Sequence, residues 1–284
     1  MSGFSLLAHA EDDWSKVGAA LGKPGTVMQG GVYRVGLPRS DLHVSVDGIV
    51  LKPTLALGGW LAFKTMGNEA MVMGDLVLTE DEVNPVMSRL EESGIEITAL
   101  HNHLLRATPN TMYMHVFGEG DPVKLAATLH EALAASHTPL QAPPAGASQP
   151  SGIDLDTAAV DQALRAKGKI AGGVYQFSIP RGDTISDGGM AVAAAMGSAN
   201  AINFQPLGGG KAAIAGDLVL MAQEVNPVLR TLRENGIEVT AVHNHMLEDQ
   251  PHVFFIHFWA HDDDAVRLAK AMRAALEKTA VVAQ

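Results

Sequence analysis

Two short motifs carry most of the chemistry this sequence can do. His101-x-His103 is followed by His115, and His243-x-His245 is followed by His257. Neutral imidazoles are good ligands for transition metals. Three of them on one point give the open arrangement of catalytic zinc, with a fourth position left for water or substrate. Imidazole also suits copper, nickel and iron. The competing possibilities are that inward histidines are hydrogen-bonded core residues, or that they form a polar network that binds an anionic ligand without metal. Six of the chain's 12 histidines occupy these positions.

Other residues could complete such a site. Asp75 and Asp217 could serve as a further ligand or as an acid/base, although Gly-Asp also suits a bend in a strand. Glu82 and Glu224 could polarise water, or could cap a helix. Arg39 and Arg181 each follow a proline at a strand end. They could clamp a carboxylate bidentately, or merely pair with Asp41 and Asp183. Tyr113 and Phe255, two residues before the third histidine of each set, would supply an apolar pocket wall and contact a substrate.

The positioning elements follow from residue patterns. Residues 12–21 suit a short helix; 31–37, 42–51 and 70–78 suit strands. Thr79 and Glu82 have capping-box spacing, and Asn84-Pro85 offers an alternative helix start. That helix should stop at Gly94. Residues 95–105 and 111–118 suit a hairpin with a loop of about five residues, followed by a helix opened by Asp121-Pro122. Alternation puts Ile95, Ile97, Ala99, His101 and His103 on one face. Pairing with the next strand would set His115 opposite.

The whole pattern occurs twice. Gly74-Asp75-Leu76-Val77-Leu78, Glu82-Val83-Asn84-Pro85-Val86 and His101-Asn102-His103 all recur 142 residues later. The copies span 11–137 and 154–279, joined by a Pro-, Ala- and Ser-rich linker at 138–153. The expected fold is α/β (α+β): two tandem domains, each a mostly antiparallel sheet with flanking helices, packed as a pseudo-dimer. Each copy is expected to hold its own three-histidine site. Copy one is the better candidate for activity, because Asp41-Leu42-His43-Val44 gives way to Asp183-Thr184-Ile185-Ser186 in copy two.

Composition narrows the function classes. A net charge of −11 and no Lys/Arg cluster argue against nucleic acid. No apolar run is long enough for a transmembrane helix. With 0 cysteines, disulfides, thiolate metal sites and cysteine nucleophiles are excluded. Leu6-Leu7-Ala8-His9-Ala10 resembles the tail of a secretory signal, so a periplasmic or secreted protein is expected, or a cytoplasmic one if that stretch is coincidental.

GDLVL-TEDEVNPV and TALHNHLL…MYMHVFGEGDP resemble the LppY/LpqO-type family of bacterial exported proteins, in both copies. The resemblance implies export and duplication rather than a reaction. The His-x-His…His spacing is also similar to the zinc motif of acetolactate decarboxylase and its structural relatives, which implies zinc-dependent lyase or hydrolase chemistry. The expectation is a zinc-dependent hydrolase or lyase acting on a small anionic substrate. The alternatives are a copper or zinc carrier, and a metal-free binder of small molecules or cell wall. Whether the chain forms a homo-oligomer stays open.

Overall fold

The computed structural model describes residues 14–141 and 152–281. The signal-like stretch and most of the linker lie outside the described residues. Copy one runs α1 (Ser15–Leu21), β1 (Thr26–Met28), β2 (Val32–Pro38), β3 (Ser45–Val46), β4 (Ile49–Val50), α2 (Pro53–Ala56), β5 (Gly58–Met66) and β6 (Glu69–Thr79). It continues through α3 (Glu80–Glu92), β7 (Glu96–His101), β8 (Thr111–Gly120) and α4 (Pro122–Leu133). Copy two opens with α5 (Thr157–Leu164), β9 (Lys169–Ala171), β10 (Val174–Pro180), β11 (Ser186–Asp187) and β12 (Met190–Ala191). A 3-10 turn at Ala194–Met196 follows, then β13 (Ala199–Gly208), β14 (Lys211–Met221), α6 (Ala222–Glu234), β15 (Glu238–His243), β16 (Val253–Asp262) and α7 (Ala265–Leu276).

Each copy forms a six-stranded antiparallel sheet, ordered β1-β2-β5-β6-β8-β7 and β9-β10-β13-β14-β16-β15. One face carries that copy's own helices: Tyr33, Leu61, Phe63, Val72, Leu76, Met114 and Val116 pack with Val86, Leu90 and Leu129. Copy two repeats this around Phe204, Ile214, Phe258 and Met272. The other face of each sheet packs against the other copy. Val77 and Tyr113 share a cluster with Ala213, Ala215 and Trp259, and Met71 and Met73 share one with Val219 and Phe255. The two sheets are thus the inner layers of a pseudo-dimer, with the helices outside, as duplication of one domain with an apolar sheet face allows.

Three local expectations change. Residues 42–51 are not one strand but a tight β3–β4 hairpin. Asp47 and Gly48 turn it, both at positive φ (51° and 80°), which Asp and Gly tolerate better than most residues. The β5 strand, not anticipated from the sequence, pairs with both β2 and β6. Helix α3 starts at Glu80, with the Thr79 N–H donating to Glu82 Oε2 at 2.9 Å. Pro85 therefore lies inside the helix rather than at its start.

A β-bulge decides where the histidines point. Ile97 pairs with Val116, and Ala99 pairs with His115, so Thr98 is an extra residue in β7. Side-chain parity reverses there. Ile95 and Ile97 face the helices, while His101, pairing with Tyr113, faces the other copy. The single-face row drawn from strict alternation is therefore corrected. Copy two has the same bulge between Val239 and Ala241. The bulge residues are used across the interface: the Thr240 hydroxyl donates to the His103 carbonyl at 2.5 Å, and the Asn244 side-chain amide donates to the Thr98 carbonyl at 3.4 Å.

Candidate metal centre between the copies

All six motif histidines meet at the interface of the two sheets. His115 on β8 and His257 on β16 come from the centres of long strands. His101 and His243 end β7 and β15, and His103 and His245 lie just beyond. The rings interleave by copy: His101 stacks on His243 (3.5 Å between centroids), His103 on His257 (3.7 Å) and His115 on His245 (3.7 Å). Copy one's triad stands as a donor set by itself, as expected, whereas copy two's triad is joined by His101, so the six rings form one shared cluster rather than two separate sites. The reason is geometric: the bulge turns both triads toward the pseudo-twofold axis.

Two donor sets can hold a metal ion, with ligand atoms within 4.8 Å of one another: His101, His103 and His115; and His101, His243, His245 and His257. His101 Nε2 and His257 Nε2 lie 3.2 Å apart. With metal–nitrogen bonds of 2.0–2.1 Å, ligands on a tetrahedral ion sit about 3.3 Å from each other. The protonation pattern suits ligation. His257 Nδ1 lies 3.0 Å from the Gly216 carbonyl and His243 Nδ1 2.9 Å from that of Asn244. Donation there leaves each Nε2 lone pair free. Nε2 of His103, His115, His243 and His245, and Nδ1 of His101, are buried with no hydrogen-bond partner among the described residues. Buried nitrogens without partners are costly in a metal-free core.

Burial keeps these rings neutral, the form that binds metal. His101 is pushed down to about 3 by burial and by His243, and His243 to about 4 by burial. The other four are held well below the ordinary imidazole value, with burial the largest cause.

Asp75 and Asp217 belong to the site. Asp75 lies 3.9 Å from Nε2 of both His103 and His115, and Asp217 lies 3.5 Å from His245 Nε2. Burial pushes Asp75 up to about 7, partly offset by Arg34; burial and then Asp75 raise Asp217. The preceding glycines lie on the helix-facing side of their own sheets, where a Cβ on Gly74 would meet Leu61 at 2.6 Å and one on Gly216 would run into the Ala201 carbonyl of the neighbouring strand. A cavity of about 500 Å³ opens beside the cluster, lined by both acids, His103, His115, His245 and His257, and by Arg34 and Trp60.

Three expected residue pairs do other work. Arg39, buried, donates to Glu82 Oε2 at 2.6 Å, to Asp41 at 2.8 Å and to the Val77 carbonyl at 2.8 Å. Arg181 does the same with Glu224, Asp183 and Val219. None of these arginines or glutamates lines the cavity. Arg39 and Arg181 are therefore ties rather than substrate clamps. Glu82 and Glu224 are helix-end acceptors rather than catalytic bases. Against burial, Arg39 and neighbouring N–H groups hold Glu82 down at about 2, so it stays ionised and cannot take protons near neutral pH. Tyr113 and Phe255 are fully buried, away from the cavity wall. Each stacks on a histidine instead: Tyr113 on His103 at 3.3 Å and Phe255 on His245 at 3.5 Å.

Arg34 and Trp60 were missed. Both lie in stretches without a motif and on a strand pair, β2–β5, of which only half was anticipated. A signal did exist: Arg34 is the charged residue within an otherwise uncharged strand, Val32–Pro38.

Comparison with known proteins places the chain. It belongs to the family described as Domain of Unknown Function (DUF1259), whose model matches twice, over residues 15–135 and 158–278. No curated protein matches it. Among solved structures, a trimeric bacterial microcompartment shell protein, PduB, aligns at 12% identity over 91% of this chain and 96% of that one, with a TM-score of 0.22. EtuB from Clostridium kluyveri aligns at 9% identity over 89% and 90%, with a TM-score of 0.20. At TM-scores this low neither likeness speaks to fold or function. Among the described residues, no helix is long and apolar enough to cross a membrane.

Proposed function

We propose that the protein is a metal-dependent hydrolase or lyase of the cell envelope, with one histidine-ligated centre built jointly by its two copies and zinc as the resident ion. The observation that carries the reading is the convergence of six neutral imidazoles, five of them with a buried nitrogen that has no partner among the described residues, beside a cavity of about 500 Å³. A zinc ion held there would polarise a carbonyl or acidify a bound water. Asp75, lining the cavity 3.9 Å from Nε2 of both His103 and His115, would accept or return a proton. Asp217, 3.5 Å from His245 Nε2, lines the same cavity.

The similarity to LppY/LpqO-type proteins and the Leu6–Ala10 stretch support export. The spacing shared with acetolactate decarboxylase supports zinc and a small anionic substrate. A second reading, a copper or zinc carrier, has its own support: His101, His243, His245 and His257 could close around one ion.

Cobalt(II) substitution separates the two readings. Chelator-stripped protein is reloaded with cobalt and its visible spectrum recorded with and without azide. The enzyme reading expects a cobalt spectrum that azide changes, because one coordination position stays exchangeable. A bound cobalt that is indifferent to azide favours the carrier, and failure to bind cobalt or zinc refutes both.

A further inference from the structure

The cavity is asymmetric although the fold is not. The pseudo-twofold pairs Arg34 with Gln176, and Trp60 with Ala201, since Trp60 faces Asp75 across the sheet as Ala201 faces Asp217. At these positions both copies make one matching contact. Gln176 donates its side-chain amide to the Thr54 carbonyl at 2.8 Å, and Arg34 donates through one terminal nitrogen to the Ala195 carbonyl, the corresponding position of the other copy. That single bond uses up what a glutamine can reach. A guanidinium has five N–H groups in a rigid fork, and no second hydrogen bond engages Arg34 among the described residues. It sits over Trp60, with the guanidinium carbon 4.2 Å from the ring centroid. The facing wall is made of small residues, including Ala195, Gly197, Ala199, Ala201 and Ala215. Lys169 adds a second cation, at the exposed rim.

We propose that Arg34, seated over Trp60, is the half-buried anchor for the carboxylate of a small organic acid in this cavity, with the acid's apolar body against the alanine wall of copy two. An oriented guanidinium fork with free donors matches a carboxylate bidentately. The choice of carboxylate over phosphate follows from the charge available: Arg34 is the one non-exposed Lys or Arg among the cavity-lining residues, and a single guanidinium balances a monoanion but not a dianion. One anchor, present in copy one alone, means one acid per chain in a fixed orientation toward the histidines. The inference names the substrate class for the site proposed above, and Arg34 stands outside its donor sets.

Calorimetric titration of the full chain with benzoate, benzamide and phenylphosphonate tests this, on zinc-loaded and on chelator-stripped protein. Benzoate should bind both forms. Neutral benzamide should bind at least tenfold more weakly, and so should phenylphosphonate. Arg34→Gln should weaken benzoate at least tenfold with zinc content unchanged, and Arg34→Lys should fall between. Equal binding of benzoate and benzamide by the wild type, or undiminished benzoate binding by Arg34→Gln, overturns the anchor. Tighter binding of phenylphosphonate overturns the carboxylate assignment. Failure of the metal centre reads differently: benzoate still binds through Arg34, but no zinc is retained.

Discussion

The two copies share a fold, a bulge and a histidine triad, yet they divide the labour at their interface. Copy one supplies the half-buried cation and the indole ring of the cavity; copy two supplies a wall of small residues, with Lys169 at the exposed rim. Copy one also has the tighter arginine tie. Arg39 bonds Asp41 through two nitrogens, whereas Arg181 reaches Asp183 through one and its Nε has no partner among the described residues; the glutamates are alike, Glu82 accepting from the His137 N–H and Glu224 from the Ala280 N–H. Duplication thus preserved what both halves need to fold and released what only one half needs to bind. An exact homodimer would have to place two arginines in one cavity.

The largest expected difference concerns metal. His101 belongs to both donor sets and His243 to one. His101→Ala should therefore cost more affinity than His243→Ala, and more than the roughly 10–100-fold typical of losing a ligand's supporting partner. Equal losses in a zinc competition titration would show the centre to be symmetric.

Next comes stability. Glu82→Gln leaves Arg39 partly unpaired in the core and should cost about 3 kcal/mol or more in chemical denaturation. Glu224→Gln, at a more exposed pair, should cost less. Retained metal binding in Glu82→Gln would agree with a structural role; loss of metal in a folded variant would restore Glu82 to the site. The same pair sets an acid limit. Glu82 is held at about 2 when folded, below its ordinary 4.5, so its contribution is present above about pH 4.5 and is lost as pH falls toward 2. That loss is worth about 3 kcal/mol and should be missing from the pH–stability curve of Glu82→Gln.

Smaller effects probe strand packing and one contact between the copies. Gly216→Ala meets the backbone of β13, whereas Gly74→Ala meets a movable leucine side chain, so the first should lower the melting temperature more. Thr240→Ala removes one bond to the His103 carbonyl and should cost about 1 kcal/mol. A change in zinc affinity as well would show that this contact positions His103.

The repeat, the helices and the antiparallel class were legible because they rest on local signals: repeated motifs, caps, and apolar periodicity. The histidines were legible as a group by type and spacing. Their meeting point was not, because it depends on one inserted residue, Thr98, whose effect is to reverse a face, and nothing in the local sequence marks a bulge. Arg39 and Glu82 looked functional for the same reason that they are structural. Both are charged residues in repeated motifs, and only burial shows that they satisfy each other. Arg34 carries only a weak signal, one charge in an otherwise uncharged strand, because copy two has Gln176 in its place.

The central claim is that both copies build one metal centre. Elemental analysis of untagged full-length protein, beside His101→Ala prepared identically, tests it most directly. The account predicts a near-stoichiometric transition metal in the wild type and its loss in the variant, although His243, His245 and His257 remain. No metal after exposure to a panel of divalent ions, or full metal content in His101→Ala, would contradict it.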